Sequence, residues 1–232
     1  AIRLGEGTYI LYQIYDLAQS IYESPFYWML ADRAYSTDAT AHRGIFTEQF
    51  AADCLIRVFG EERVWQNVNI LKGKEVVAEI DVLASFANRF VVVQAKSKKL
   101  TLEARSGNDG ALRSDFQKSV QDSYGQATSC YELVGTPGIR LVTSDGQDIT
   151  DQVEVGNGYL FCVVAESYPA LNVQVRQFLK LSEDEGIPAP FVMDVFLLDA
   201  MTEFLSSPLH FLSYCDKRAQ YFENVSASHE LV

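Results

Sequence analysis

Four polar residues set into two otherwise apolar stretches are the part of this chain best suited to chemistry. Glu79 and Asp81 lie in the run Val76–Ala84, and Gln94 and Lys96 close the run Phe90–Lys96. A β-hairpin folded about Ala87-Asn88 opposes Phe86 to Arg89, Leu83 to Val92, Asp81 to Gln94 and Glu79 to Lys96. Directly opposed residues of an antiparallel pair share a face, with Cβ atoms about 4.5–5.5 Å apart. Period-two alternation brings Glu79 beside Asp81, and Gln94 beside Lys96, on that face. A hard divalent cation takes oxygen ligands such as carboxylate and amide, and an ammonium meets the charge of a phosphate. The plainer reading of the same quartet is a surface pairing, Glu79 with Lys96 and Asp81 with Gln94.

The elements around the quartet follow from spacing and turn residues. Residues 7–22 are predicted helical, with Ile10, Ile14, Leu17 and Ile21 at helical intervals and Tyr9, Tyr12, Tyr15 and Tyr22 between them. Pro25 is expected to start a second helix reaching about Tyr35, with a polar loop from Ser36 to Arg43. A third helix covers Gly44 to Phe59, where Gly44, Ile45, Glu48, Ala51, Ala52, Leu55 and Phe59 fall on one arc. Glu48 is the one charge on that arc, and a carboxylate facing a core is costly unless paired, protonated or bound to a cation.

Strands follow at Val64–Ile70, Val76–Ala84 and Phe90–Ala95, with a turn at Lys72-Gly73-Lys74, and Leu100–Ala104 extends the third. A long helix runs from Leu112 to Val134, striped by Leu112, Phe116, Val120, Tyr124, Ala127, Tyr131 and Val134. Beyond it come a small hairpin over residues 139–149, a doubly buried strand Tyr159–Ala165 and a helix Leu171–Leu181. A strand Pro190–Leu197, a helix Asp199–Leu205 and a last helix opened by Ser207-Pro208 complete the chain. The order is α/β with a mixed sheet, in a domain over residues 41–232 behind a helical extension over residues 1–40.

Composition narrows the function classes. The 232 residues are 48% hydrophobic and 22% charged, as in a globular protein with a sizeable core. No apolar run is long enough to cross a bilayer and no N-terminal segment reads as a signal peptide, so a cytoplasmic protein with no membrane partner is expected. The chain begins at Ala1 rather than methionine, which makes a piece of a longer protein one reading. The net charge of −12 argues against gripping nucleic acid over the whole surface. Between Arg89 and Lys118, however, seven basic residues (Arg89, Lys96, Lys98, Lys99, Arg105, Arg113, Lys118) meet three acidic ones (Glu103, Asp109, Asp115), a local +4 beside the hairpin. Cys54, Cys130, Cys162 and Cys215 stand far apart in apolar contexts and read as buried free thiols. The three histidines show no metal-ligand spacing, and the chain carries no G-x-S-x-G, Walker A or G-x-G-x-x-G motif.

A helix bearing Glu48, a strand bearing Asp81, a strand ending Gln94-Ala95-Lys96 and a following helix with Gln117 and Gln121 resemble the PD-(D/E)XK nuclease superfamily. The likeness is to variants that replace the second acid by glutamine, as in Mrr-type restriction endonucleases, and to nuclease-related (NERD) domains. It covers residues 41–200. Ile80 stands where the motif's proline would be, and Gln94 replaces an anionic ligand by a neutral one. The resemblance implies a restriction-endonuclease-like core and a DNA endonuclease using Mg²⁺ or Mn²⁺, with RNA left open as a substrate. It makes Asp81, Gln94, the Ala95 carbonyl and Glu48 the metal ligands and Lys96 the residue that orients water. It also makes Lys98, Lys99 and Arg105 phosphate contacts, with Gln121 in support. A catalytically silent nuclease-fold module that binds nucleic acid or a partner protein within a larger protein is the alternative. A homo-oligomer, or a packing role for the N-terminal helices, is compatible with the chain.

Overall fold

The turn at Ala87-Asn88 forms as counted, with Ala87 at φ 50, and it closes a hairpin between two strands rich in β-branched residues. The computed structural model describes residues 2–11, 15–165, 175, 178–184 and 186–221, without the side chains of Ile2, Tyr15, Asp16, Gln19, Leu102, Arg105, Gln220 and Tyr221. By contacts the chain divides into two units, Ala1–Arg43 and Gly44–Val232.

The first unit departs from expectation. Strands β1 (Ile2–Gly5) and β2 (Thr8–Ile10) pair antiparallel around Gly7 at φ 71, where a helix was predicted from residue 7. Helix α1 spans Tyr15–Ala31 with Pro25 inside it, so the expected break at Pro25 does not occur. A proline inside a helix removes one N–H and crowds the carbonyl four residues earlier, yet here the helix continues past it. The predicted loop Ser36–Arg43 is the opening of helix α2 (Ser36–Phe59). Its polar side chains bond along the helix: Thr40 Oγ1 donates to the Ser36 carbonyl at 3.0 Å, and Tyr35 pairs with His42 Nδ1 at 2.8 Å.

The second unit is α/β. Six strands, β3 (Val64–Lys72), β4 (Glu75–Phe86), β5 (Arg89–Lys96), β6 (Ile139–Thr143), β7 (Asn157–Val164) and β8 (Phe191–Asp194), form one mixed sheet in the order β6-β3-β4-β5-β7-β8. The meander β3-β4-β5 is antiparallel, as is β3 with β6, while β5-β7 and β7-β8 are parallel. Strand β7 is buried from Gly158 to Val164, as its unbroken apolar run requires. The expected extension of β5 is instead a short helix, α3 (Leu102–Arg105). The second arm of the small hairpin is one bridge, Val142 to Asp148.

Helices cover both faces. On one, Ala51, Leu55 and Phe59 of α2 and Phe211 of the last helix pack on Val82, Val91, Val93 and Phe161. On the other, Phe116, Val120, Tyr124 and Ala127 pack on Ile80, Leu83, Val92 and Leu160. That second layer is helix α4 (Asp109–Phe116), a π turn (Gln117–Gln121) and helix α5 (Asp122–Leu133) in continuous succession. Helices α6 (Val195–Phe204) and α7 (Pro208–Tyr221) are the last elements among the described residues, with α6 starting four residues earlier than predicted. The helix predicted over Leu171–Leu181 lies largely outside the described residues. Among the described residues no helix is long and apolar enough to cross a membrane, and the four cysteines are buried free thiols.

Candidate functional site

The sheet is faulted where Asp81 sits. Strand β3 pairs Gln66 with Val82 and Val68 with Ile80, but skips the opposed couple Asn67 and Asp81, and Asn67 adopts φ 50. The pleat changes phase there: Val64 and Val82 point to the α2 layer, whereas Val68 and Ile80 join the α5 layer. The strict period-two count from the hairpin therefore breaks at Asp81, since Ile80 and Leu83 share one core. On the other side of β4, the register with β5 runs as counted from Phe86–Arg89 through Leu83–Val92 and ends at Val82–Val93. Asp81 and Gln94 come next, where the two strands no longer form a ladder.

Side chains fill the gap that results. Asp81 Oδ2 accepts from the Ala95 backbone N–H at 2.7 Å. Gln94 Nε2 donates to the Glu79 carbonyl at 2.7 Å and lies 3.6 Å from Cys130 Sγ, which donates to the same carbonyl at 3.3 Å. A carbonyl partner fixes which end of the amide is nitrogen, so Oε1 is left as the amide's acceptor. The Lys96 carbonyl accepts from Ala165 on the β7 side at 3.0 Å. Adjacent residues of a strand present their backbone polar groups to opposite edges, so Ala95 turns its N–H and carbonyl toward β4 and the gap. The surface-pairing reading fails on two counts: Asp81 bonds backbone rather than Gln94, and among the described residues no ion pair joins Glu79 to Lys96.

A cleft of about 890 Å³ opens over this gap. Glu79, Asp81, Gln94 and Lys96 line it from the sheet, and Gln117, Gln121, Asp122, Gly125, Gln126, Ser129 and Cys130 from the helical layer. Glu48 is not on its lining. It is half-buried on α2, within electrostatic reach of Asp81, Glu79 and Lys96. Burial chiefly, then the Asp81 and Glu79 charges, raise the Glu48 carboxyl above the ordinary range, against the opposing pull of Lys96. Burial likewise raises Asp81, with Glu79 adding to it, while the Ala95 N–H and Lys96 hold it down. Burial lifts the Cys130 thiol to about 12, so it stays protonated as the donor to Glu79. Carboxylates that cost one another free energy, beside a neutral amide oxygen and a turned-in carbonyl, are a donor set for a hard cation. Among the described residues no three His, Cys, Asp or Glu side chains gather as ligands, so such a set draws on Gln94 and Ala95.

The remaining predicted residues are placed differently. Lys98 Nζ is held at 2.7 Å by Asp115, whose other oxygen accepts from the Thr101 N–H at 2.7 Å and hydroxyl at 2.8 Å. Burial pushes the Asp115 carboxyl up, but these bonds outweigh it and keep it below its ordinary value. Lys99 is half-buried in the same segment, outside the cleft lining. The Arg105 side chain lies outside the described residues. Gln121 grips the backbone of Lys180, donating to its carbonyl at 3.1 Å and accepting from its N–H at 2.8 Å.

The π turn went unforeseen, although the stripe carries its trace. Leu112, Phe116, Val120 and Tyr124 recur at steps of four, each of which overshoots a straight helix by about 40°. A π turn absorbs that drift and swings Gln117 and Gln121 to the cleft, and such turns are frequent at functional sites. In the sequence alone Asp115 is only one of three acids counted against the basic stretch Arg89–Lys118. Comparison of the chain with family models, with curated proteins and with solved structures gave no match.

Proposed function

We propose that this chain is a divalent-metal-dependent endonuclease that hydrolyses DNA phosphodiester bonds. The observation that carries the reading is the meeting of Asp81, Gln94 and Lys96 in one cleft where the β4-β5 ladder ends, with the Glu48 carboxylate in range. Asp81, Gln94 Oε1 and the Ala95 carbonyl would hold Mg²⁺ or Mn²⁺, with Glu48 completing the charge. The ion's chemistry when bound is to polarise a phosphoryl oxygen and acidify a bound water. Lys96, on the lining of the same cleft, would orient the attacking water and meet the negative charge that grows on the phosphoryl oxygens. The basic stretch contributes less phosphate binding than its charge suggests. Asp115 holds Lys98, Asp216 and Tyr159 hold Arg89, and Arg113 lies over the Phe178 ring.

One observation favours a second reading, a metal-free module that binds nucleic acid or protein. The Gln94 amide nitrogen is already committed to the fold through the Glu79 carbonyl, and its oxygen is neutral where an anionic ligand would hold an ion more strongly. Cleavage assays separate the two. Plasmid and single-stranded DNA are incubated with Mg²⁺, Mn²⁺ or EDTA, using wild type, Asp81→Ala and Lys96→Ala. The nuclease reading expects metal-dependent cleavage lost in both variants. Cleavage that survives both removes the site assignment, and a Mn²⁺-soaked crystal with no ion between Asp81 and Gln94 supports the silent module.

A further inference from the structure

We propose that the helical wall of the cleft is a substrate-contact surface on which a nucleic-acid strand passes directly over Gly125, touched by Gln126 and Ser129 through its sugars or bases rather than its phosphates. Gly125 lies inside α5, where glycine is among the least favourable residues. Neither conformation nor crowding calls for it. Its φ is not positive, and a Cβ built on it meets nothing within 4 Å. Gly73 and Gly146 differ in taking positive φ in turns, and Gly158 in that a Cβ there would run into the Phe90 and Tyr131 rings; Gly44, also helical with no positive φ, has the Ser97 side chain 3.7 Å from its Cβ position. Gly125 faces open space, and that space is the cleft that holds Asp81, Gln94 and Lys96. A bare helix backbone in a binding cleft lets a ligand approach closely.

The chemistry beside it selects what approaches. Gln126 and Ser129 are exposed, neutral hydrogen-bonding groups on the cleft, and the one charge α5 contributes there is Asp122. A phosphate on this wall would lie near an acid with no lysine or arginine of the lining beside it, whereas base edges and deoxyribose ring oxygens suit amide and hydroxyl partners. The phosphate belongs at the Lys96 end of the cleft, and the sugars or bases beyond it lie across α5.

The inference rests on the nuclease reading, and the test separates their failures. Fluorescein-labelled single-stranded and duplex DNA are titrated by anisotropy with the full chain in Ca²⁺, alongside melting curves. For Gly125→Ala the expected result is a Tm unchanged or raised by about 2–4 °C, with at least tenfold weaker binding, and Gly125→Met binds more weakly still. Gln126→Ala and Ser129→Ala should weaken binding several-fold without altering the slope of log K against log salt. Lys96→Ala should reduce that slope by about one. Wild-type affinity in Gly125→Ala overturns the inference, as does a lowered Tm, which would make Gly125 a packing glycine. A wild-type chain that binds neither DNA removes the nuclease reading and this inference with it.

Discussion

Asp81→Asn isolates what the buried charge is for. The asparagine keeps the shape of the side chain and an oxygen to accept the Ala95 N–H, now bonded at 2.7 Å to Oδ2. Two effects oppose each other in the metal-free protein. Losing a charged acceptor weakens that one hydrogen bond by about 1 kcal/mol. Removing the charge relieves the burial and the Glu79 repulsion that raise Asp81, and lightens the load on Glu48. The Tm in EDTA should therefore stay within about 4 °C of wild type, at about 2–4 °C per kcal/mol for a chain of this size. With metal the two proteins part. At ten times its Kd, an ion that binds only the folded state adds RT ln 11, about 1.4 kcal/mol, or about 3–6 °C. Wild type should gain that shift in MgCl₂ or MnCl₂, and Asp81→Asn should not. Differential scanning fluorimetry in EDTA and over a metal series measures both quantities. A wild-type Tm indifferent to metal, or an equal gain in the variant, refutes the reasoning.

Three further outcomes follow from the same geometry. Asp81 and Glu48 are raised in the folded state, so their contribution is fully present below the ordinary carboxylate range and lost as pH rises through the raised values. In EDTA the stability of Asp81→Asn relative to wild type should thus grow with pH, as read from urea midpoints at several pH values. Asp115→Ala removes the carboxylate that accepts from Lys98 Nζ and from the Thr101 N–H and hydroxyl, and should cost about 3–5 kcal/mol in denaturant unfolding. Because Asp115 is held low, that deficit is present above the ordinary carboxylate value and shrinks as pH falls through the depressed one. Gly158→Ala drives a Cβ to 2.5 Å from Phe90 Cε2 and 2.6 Å from Tyr131 Cε2, beneath rings stacked 5.5 Å apart. It should cost about 1–3 kcal/mol and alter the near-ultraviolet circular dichroism.

What was legible in the sequence was what depends on local pattern. Strands β3 and β4 announce themselves by apolar residues between turn signals, β5 and β7 by unbroken apolar runs and α7 by Ser207-Pro208. The hairpin register followed from one turn and held for five pairs, from Phe86–Arg89 to Val82–Val93. What was not legible depends on departures from ideal geometry. Period-two counting assumes an unbroken pleat, and the fault at Asn67 and Asp81 breaks it. A polar stretch such as Ser36–Arg43 reads as loop by composition, yet its side chains find partners one or two turns away along α2. Charge counting over Arg89–Lys118 found the basic stretch but not its internal neutralisation, because Asp115 meets Lys98 only through tertiary contact. Glu48 was chosen as the odd charge on an apolar arc. The arc is buried at Ala51, Ala52, Leu55 and Phe59 but departs at its start, with Ile45 62% exposed and Thr47 fully buried, so Glu48 stands at the rim of the helix-sheet contact.

The turned ladder also explains why position 94 holds an amide. Where β4 and β5 part, the Glu79 carbonyl loses a sheet partner and needs a donor, which Gln94 Nε2 supplies at 2.7 Å from a side chain only 2% exposed. A glutamate there would set a carboxylate against that carbonyl, with Asp81 and Glu79 close by. Gln94→Glu should therefore lower the Tm in EDTA at pH 8 by about 6 °C or more, the cost of about 3 kcal/mol for an uncompensated buried charge. At pH 5 the loss should shrink, because a protonated carboxyl again donates to Glu79; the substituted group is stabilising below its ordinary pKa and penalised as pH rises. Mg²⁺ or Mn²⁺ should recover part of the loss at pH 8 by binding the ionised form. An unchanged Tm in EDTA would mean that the Cys130 thiol, which also donates to that carbonyl at 3.3 Å, satisfies it without Gln94. A loss that neither acid nor metal reverses would mean that the gap holds no cation. On the proposed nuclease reading the amide would meet two demands at once, its nitrogen bonding the Glu79 carbonyl and its oxygen left to ligate a metal.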